Sequence, residues 1–255
     1  MAKQTGATGG QRLFVDGYDV SGNIAALSSM SATRDQLDYT DLTQTAKDRR
    51  GGLVDGKMSF KGWWDATVGA TPPAVHDVFK VPRTAAIVTF WDAQLAGSAA
   101  CGLAADQANY KVDRATAGSL AWTVDAEASG GSGLEWGYSL TTGNQLFASG
   151  TLYGSDCDDL VGDPTSTAFG AILYVHLISI ASGNITISAV EGAAASPTAA
   201  IAGCTTALLT AQGAYRLPST SATATIRQYT RIKVAGTYAN ARVAAMLVRP
   251  IGPQA

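Results

Sequence analysis

The chain has 255 residues, which is long enough to bury the core of one large β domain or of two smaller domains. Charged side chains make up only 15% of it and the net charge is −2, so the basic surface of a typical nucleic-acid-binding protein is excluded. Charges are denser in residues 1–127 than in residues 128–255. Electrostatic contacts are therefore expected mainly in the first half, beside a plainer second half.

The three cysteines, Cys101, Cys157 and Cys204, are odd in number, widely spaced and in no metal-ligand spacing. This pattern predicts buried free thiols in a reducing compartment. No apolar run is long enough to cross a bilayer, and the first residues lack the apolar core of a signal peptide. We therefore expect a protein made in the cytoplasm with no membrane contact.

The first third of the chain reads as strands around one polar segment. Residues 1–10 form a polar arm, and residues 13–18 predict a short strand that ends at an Asp16-Gly17 turn. Residues 24–39 are extended in pattern. Residues 40–55 are too polar and irregular for a core element, so they predict a long charged loop with a Gly51-Gly52 hinge, and a loop of this length is usually functional.

A clean alternation follows this loop. Met58, Phe60, Gly62 and Trp64 share one face of a predicted strand over residues 57–65. Pro72 and Pro73 then open a short helix with Val75, Val78 and Phe79 on one face. Strands are also predicted over residues 86–93, 105–113, 119–128 and 134–140. The glycines at 130–133 predict a hairpin turn, so that the strands beside it would be antiparallel neighbours.

Residues 150–166 predict a loop and a domain boundary. A second β pattern follows, in which residues 171–180 and 184–190 read as a hairpin across Ser182-Gly183. The remaining predicted strands are residues 199–210, 214–217, 223–234 and 241–249. The predicted fold class is therefore mainly β, with one short flanking helix and a C-terminal β-sandwich half.

The sequence offers only weak candidates for chemistry. Asp125 and Glu127 share a strand face, which fits either a general acid/base pair or the polar side of an amphipathic strand. The run 156–159 with Asp163 fits either a calcium site or a polar linker. His76 and His176 have no nucleophile or ligand cluster in sequence. We therefore predict no catalytic residues, no metal site, no cofactor and no enzymatic activity.

One strand of the second half carries a row of basic and aromatic residues. Arg227, Tyr229, Arg231 and Lys233 alternate and so share one face of the predicted strand over residues 223–234. This face is either a solvated sheet surface or a lateral lattice or ligand contact, for which Arg227, Tyr229 and Arg231 are the candidate residues.

Three stretches of the first half resemble the tail tube (major tail) proteins of long-tailed bacteriophages. They are residues 14–22 (FVDGYDVSG), the end of the charged loop at 49–56 (RRGGLVDG) and the strand at 57–65 (KMSFKGWWD). The order of elements over residues 10–150 fits the same family. The end of the chain, at residues 227–232 and 241–245, is similar to the C-termini of such proteins from siphophages.

The resemblance implies a structural virion protein of the tail, made in the host cytoplasm. In that family a β-sandwich-like unit with a flanking helix joins its neighbours into a six-fold ring, and rings stack helically into a tube. The loop that matches residues 43–56 reaches into the adjacent ring, which implies inter-ring contacts for Lys47, Asp48, Arg49, Arg50 and Asp55. Tape measure, tail terminator and distal tail proteins are implied partners, and DNA would pass through the lumen without specific binding.

The predicted organisation has four parts: an arm at 1–10, a tail-tube domain at 11–150, a linker at 151–170 and a C-terminal β-sandwich domain at 171–255. The last domain would be a decoration or a diverged second tube domain, in which case three chains would form a pseudo-hexameric ring. The alternative function is a virion decoration or carbohydrate-binding β-sandwich protein. A β-rich hydrolase that uses Asp125, Glu127 or Glu135 is a third hypothesis.

Overall fold

The computed structural model describes residues 10–40, 46–47, 49–64, 67, 75–114, 120–158 and 166–250. The chain is mainly β with one short helix, which confirms the predicted fold class. The helix is α1 (Val75–Phe79), and a 3-10 turn lies at Ser21–Asn23. No helix in the described part of the chain has the length and apolarity needed to span a membrane.

The strands, in chain order, are β1 (Arg12–Val15), β2 (Tyr18–Asp19), β3 (Ile24–Asp38), β4 (Arg49–Trp63), β5 (Ala86–Trp91), β6 (Ala99–Arg114), β7 (Leu120–Ala128), β8 (Glu135–Ser139), β9 (Gln145–Phe147), β10 (Leu152–Tyr153), β11 (Cys157–Asp158), β12 (Ser166–Thr167), β13 (Ile172–Gly192), β14 (Ala199–Thr205), β15 (Gly213–Pro218), β16 (Ile226–Arg227) and β17 (Tyr229–Val248).

These elements form two compact units that do not follow chain order. Unit one contains Met1–Gly22, Ile87–Gly102 and Trp136–Ala255, and unit two contains Asn23–Ala86 and Leu103–Glu135. The predicted boundary at residues 151–170 therefore lies inside unit one. Long-range hydrogen bonds account for this, because the backbone N–H of Gly17 donates to Nδ1 of His176 at 3.2 Å and so joins the start of the chain to β13.

Unit one is built on the antiparallel pair β13 and β17, in register from Ile172↔Val248 to Gly192↔Tyr229. A straight strand of 21 residues would span about 69 Å. Yet Leu177 and Ile185, on either side of an exposed middle segment, belong to one hydrophobic core. The strand therefore bends, and the positive φ of Gly183 (86°) and Gly236 (147°) lies in the bent segment. The hairpin predicted across Ser182-Gly183 was wrong, since the chain bends there without reversing.

The Val-Asp-Gly-Tyr-Asp signature is a hairpin turn of unit one. Strands β1 and β2 pair Phe14 with Asp19 and Val15 with Tyr18, which leaves Asp16 (φ 52°) and Gly17 (φ 85°) as the two central residues. Two positive φ values in a two-residue loop are those of a type I′ turn, for which Asp-Gly is a preferred sequence. The turn predicted at Asp16-Gly17 is confirmed.

Unit two is a four-stranded antiparallel sheet in the order β3-β4-β7-β6 with α1 packed on one face. Phe60 of β4 and Trp122 of β7 are fully buried, and their ring centroids lie 5.8 and 5.5 Å from that of Phe79. The alternation predicted in residues 57–65 and 119–128 is confirmed over the described residues 57–64 and 120–128, as is the apolar face of the helix. These aromatic contacts fix which face of the sheet is covered and which is left open.

The glycine-rich segment after β7 is not a hairpin turn between β7 and β8. Strand β7 pairs with β4 and with the second half of β6, whereas β8 pairs with β17 and β6. The prediction that β7 and β8 are antiparallel neighbours was therefore wrong. Gly130 and Gly131 do adopt positive φ, but the strand that follows them does not pair with β7.

Candidate assembly surface

The candidate surface is the outer end of the β3–β4 hairpin of unit two. Strands β3 and β4 pair from Ile24↔Gly62 to Asp38↔Arg49. Strand β7 pairs with β4 only from Trp63 to Lys57. Residues 31–38 and 49–56 therefore form a two-stranded segment, which we call the ribbon. At 3.3 Å per residue the ribbon is about 23 Å long.

The prediction of a loop over residues 40–55 was wrong for the part of it that forms the ribbon. Residues 49–55 belong to β4, and the chain between the paired residues Asp38 and Arg49 is much shorter than the predicted loop. Backbone pairing explains how such a polar segment is ordered, since cross-strand bonds do not depend on the side chains. A register shift between Arg34 and Gln36, opposite Gly52-Leu53, interrupts the alternation by which a strand is recognised.

Large apolar side chains are exposed on and beside the ribbon. Leu53 is 81% exposed, Tyr39 53%, Leu37 47% and Val54 46%. Several large apolar side chains exposed on one element are typical of a protein–protein contact. Leu37 and Tyr39 lie just before the predicted loop and were missed as contact candidates. Their position directly before the charged run is the signal that could have identified them.

The charged residues predicted for the inter-ring contact lie along the same element. Lys47 is exposed between the strands, Arg49 is the first residue of β4, and Arg50 and Asp55 are exposed within β4, whereas Asp48 lies outside the described residues. The guanidinium carbon of Arg50 lies 4.9 Å from the ring centre of Tyr39. The Gly56 N–H donates to the Asp55 carboxylate at 2.7 Å. An aromatic–cation pair and an exposed carboxylate thus accompany the apolar side chains.

The face of the unit-two sheet opposite α1 is polar in the part next to the base of the ribbon. Lys57 on β4 lies 3.1 Å from the Glu127 carboxylate on β7, and Asp125 accepts hydrogen bonds from Ser59 and Asn109. The bond to Glu127 and the negative charge of nearby Asp125 raise the pKa of Lys57. Asp125 and Glu127, considered as an acid/base pair in the sequence, are here engaged with different partners across the strands.

The unit-two sheet ends in two strand edges. Among the described residues, β3 pairs with β4 alone, and residues 109–114 at the end of β6 pair with β7. A strand edge carries backbone N–H and C=O groups that can pair with another chain. A strand edge of this kind is where a second copy of the sheet can join.

The basic row predicted in the second half does not form one common charged face. Arg231 turns inward: its guanidinium lies 4.1 Å from the Tyr153 ring centre and 3.5 Å from Asp156, and its Nε donates to Pro197 O at 2.8 Å. Arg227 is exposed in β16, and Tyr229 is half-buried at the start of β17. Arg231 thus stabilises unit one, and the lateral contact stays a prediction.

The other candidates for chemistry have structural partners. Asp156 is bound to Arg231, and Asp158 accepts from Gln228 Nε2 at 2.9 Å, while Asp159 and Asp163 lie outside the described residues. No group of three metal-ligating side chains occurs in the part of the chain that the structure describes. Burial lowers the pKa of His176 to about 3, so its imidazole is neutral.

No protein-family model matches the sequence, and no curated protein matches it. Two solved phage structures are similar to it at low identity. One is the Dit (gp 19.1) protein of phage SPP1, described as a hub adsorption apparatus of phages that infect Gram-positive bacteria: 9% identity, 94% of this chain and 99% of that chain covered, TM-score 0.34. The other is the baseplate of phage P2 in its activated conformation with Ca: 6% identity, 94% and 98% covered, TM-score 0.35.

Proposed function

We propose that this protein is a structural subunit of the tail tube of a long-tailed bacteriophage, which assembles into stacked rings that conduct DNA into the host. The observation that carries the proposal is the ribbon, a paired β element that exposes Leu37, Leu53 and Val54 instead of burying them. It coincides with residues 49–56, one of the stretches that resemble tail tube proteins. A monomeric protein gains nothing from ordering such a surface against water.

Within a ring, the two edges of the unit-two sheet supply the contact. The edge of β3 in one copy would pair with residues 109–114 of β6 in the next, so that the hydrogen-bonded ladder continues from copy to copy. Such a head-to-tail contact closes into a ring when the rotation between copies divides a full turn. The ring would be a hexamer, or a trimer if unit one supplies a second, equivalent interface.

Between rings, the ribbon supplies the contact. The apolar residues would be removed from water by a neighbouring copy, and Lys47, Asp48, Arg49, Arg50 and Asp55 would pair with charges on that copy. Mixed charges favour one register of stacking over others more than they add affinity. The function requires only itself as partner, with tape measure, terminator and distal tail proteins as further partners by resemblance.

The polar sheet face fits a lumen through which DNA passes without binding. Two lysines of this face are paired with acidic residues, Lys57 with Glu127 and Lys111 with Asp113 at 2.9 Å. Tight DNA binding instead needs several unpaired basic side chains directed at phosphates. The net charge of −2 agrees with this conduit role.

Negative-stain electron microscopy of the purified protein tests the proposal directly. We expect rings and tubes, and the number of subunits per ring decides between a hexamer and a trimer. A sample that stays monomeric at high concentration contradicts the proposal. Rings that never stack would also contradict it, because they would place the protein elsewhere in the tail.

The alternative of a virion decoration or carbohydrate-binding protein rests on exposed aromatic residues. Trp63 is 59% exposed in unit two and Trp136 is 55% exposed in unit one. Exposed indole rings are able to stack on sugars, but the ribbon has no part in that function. Monomeric protein that binds immobilised cell-wall polysaccharide, and loses the binding in a Trp136→Ala variant, would favour this alternative.

A further inference from the structure

We infer that residues 129–134, the positioning turn, fix the direction in which the ribbon leaves the sheet of unit two. The inference rests on the proposed function, because the direction matters only if the ribbon must meet a neighbouring copy. The ribbon loses its third strand at Lys57, where the pairing with Glu127 of β7 ends. A two-stranded ribbon twists more freely than a larger sheet, so its direction has to be fixed at this base.

The positioning turn touches the ribbon at its base through two glycines. A Cβ atom on Gly133 would lie 2.5 Å from Cγ1 of Val54, well inside the usual carbon–carbon separation of about 3.5–4.0 Å. A Cβ atom on Gly56 would overlap the backbone nitrogen of Leu134. At Gly56 an added Cβ would meet backbone, so only hydrogen fits, whereas at Gly133 an added Cβ would force the Val54 side chain to move.

The positioning turn is itself held in place. The Ser129 N–H donates to Ala104 O at 2.8 Å, and Leu134 is buried at the other end. Gly130 and Gly131 adopt φ values of +71° and +79° with open space around them. Glycine is thus needed at positions 130 and 131 for the backbone conformation and at position 133 for space. The turn, held at both ends, is the surface against which the base of the ribbon packs.

A small change in the direction of the ribbon at its base displaces its tip by a larger distance. Along a ribbon of about 23 Å, a tilt of about 10° moves the tip by about 4 Å. Apolar contacts are lost when surfaces separate by more than about 1 Å. Displacing Val54 from the positioning turn should therefore prevent stacking even though the sheet and its core stay intact.

The test is a double-mutant cycle. Gly133→Ala should reduce the yield of tubes by at least about tenfold, Val54→Ala should reduce it less because the inter-ring contact loses only part of its apolar surface, and the double variant should recover the yield of Val54→Ala alone. In the double variant the new Cβ meets only the Val54 Cβ position at 3.6 Å and Asp55 O at 3.4 Å, which are ordinary contacts. Gly22→Ala is the matched control, since nothing lies within 4 Å of its added Cβ. Normal tubes from Gly133→Ala, or no rescue in the double variant, would overturn the inference.

A second measurement does not need tubes. Spin labels on Lys47→Cys at the ribbon tip and Lys61→Cys in the sheet report the ribbon direction in single subunits, and both sites are exposed. Gly133→Ala should shift or broaden the distance distribution, and adding Val54→Ala should restore it. An unchanged distribution overturns the positioning role, whereas wild-type protein without tubes overturns the proposed function, so the two failures are distinguishable. Gly56→Ala should produce the same shift, and its failure to do so would also contradict the inference.

Discussion

His176 accepts a hydrogen bond from the backbone N–H of Gly17 across 159 positions of sequence. Because Nδ1 is the acceptor, the proton lies on Nε2, which donates to Thr89 Oγ1 at 3.0 Å. One neutral imidazole thus joins the first hairpin, β5 and β13 in the interior of unit one. This junction is why the beginning and the end of the chain fold as one unit.

Because His176 is buried as a neutral imidazole, we expect the stability of the protein to fall at acidic pH. Burial lowers the pKa of His176 to about 3 in the folded protein, from 6.5 when unfolded, so the unfolded chain binds the proton more readily between these values. Stability from this group is complete above pH 6.5 and is lost as the pH falls towards 3. At pH 5 the loss is about 2 kcal/mol, at 1.36 kcal/mol per pH unit.

Urea unfolding between pH 4 and 8 measures this dependence. A His176→Asn variant keeps an acceptor for the Gly17 N–H but cannot titrate, so its stability should vary less with pH. Equal slopes for the two proteins would show that His176 is not the titrating group.

Gly17 should tolerate alanine less well than Gly97 does. Both have nearly the same φ, 85° and 83°, but a Cβ on Gly17 lies 3.0 Å from Gly213 O, whereas nothing lies within 4 Å of Gly97. We expect Gly97→Ala to cost about 1 kcal/mol from the backbone conformation alone, and Gly17→Ala about 1–2 kcal/mol more. The comparison is made by urea unfolding, and equal costs would contradict the contact.

Leu53 should matter for assembly and not for folding. It is 81% exposed, so Leu53→Asp should change the free energy of unfolding by less than about 0.5 kcal/mol. The buried charge should nevertheless prevent stacking of rings in electron micrographs. Leu208→Asp is the control, since Leu208 is 60% exposed in unit one, away from the ribbon in sequence. Tubes from Leu53→Asp would exclude the apolar part of the ribbon from the contact.

Arg231 should behave as a structural residue. Its side chain is 13% exposed and joins Tyr153, Asp156 and Pro197. Lysine cannot reproduce the planar stacking and the Nε bond, so Arg231→Lys should destabilise the protein by about 1–2 kcal/mol. Arg227→Lys, at an exposed side chain, is the control for thermal unfolding. Loss of lateral contacts in Arg231→Lys without loss of stability would restore the lattice role predicted from the sequence.

The three thiols should be unreactive until the protein unfolds. Cys101, Cys157 and Cys204 are buried thiols, and burial raises the pKa of Cys101 to about 12 and that of Cys204 to about 11. Reagents that need the thiolate should label none of them at pH 8 in the native state and all of them in urea. Mass spectrometry gives the count, and native labelling would contradict the burial.

Elements with strict alternation were predictable from the sequence, whereas elements that depend on glycine were predictable only in part: the Asp16-Gly17 turn was predicted, and the other glycine segments were misread. Residues 57–65 and 119–128 alternate because one face packs against Phe79, so burial leaves a period of two in the sequence. At Gly183 the same glycine signal marks a bend within one strand, and at Gly130 a segment that does not join paired strands. At Gly51 it marks close packing, where a Cβ would meet the Arg34 side chain. A sequence shows that glycine is required but not which of these requirements applies.

The candidate surface was predictable in position but not in structure. The charged run at residues 47–55 marked the place, because mixed charges beside Leu53 and Val54 do not fit a solvated loop. The pairing of Asp38 with Arg49 could not be read from it, since backbone bonds leave no side-chain pattern. Gly133 lies far from the ribbon in sequence, and its glycine-rich segment was interpreted as a hairpin turn and not as a contact with the ribbon.

Because β7 stops pairing with β4 at the base of the ribbon, the length of the ribbon can change independently of the four-stranded sheet. Two residues added to each ribbon strand beyond Val54 would extend it by about 7 Å and keep every side chain on its own face. Neither the core around Phe60 nor the positioning turn would have to change. In the proposed tube, short paired insertions would thus change the axial spacing between rings, while the part of the subunit that repeats within each ring stays the same.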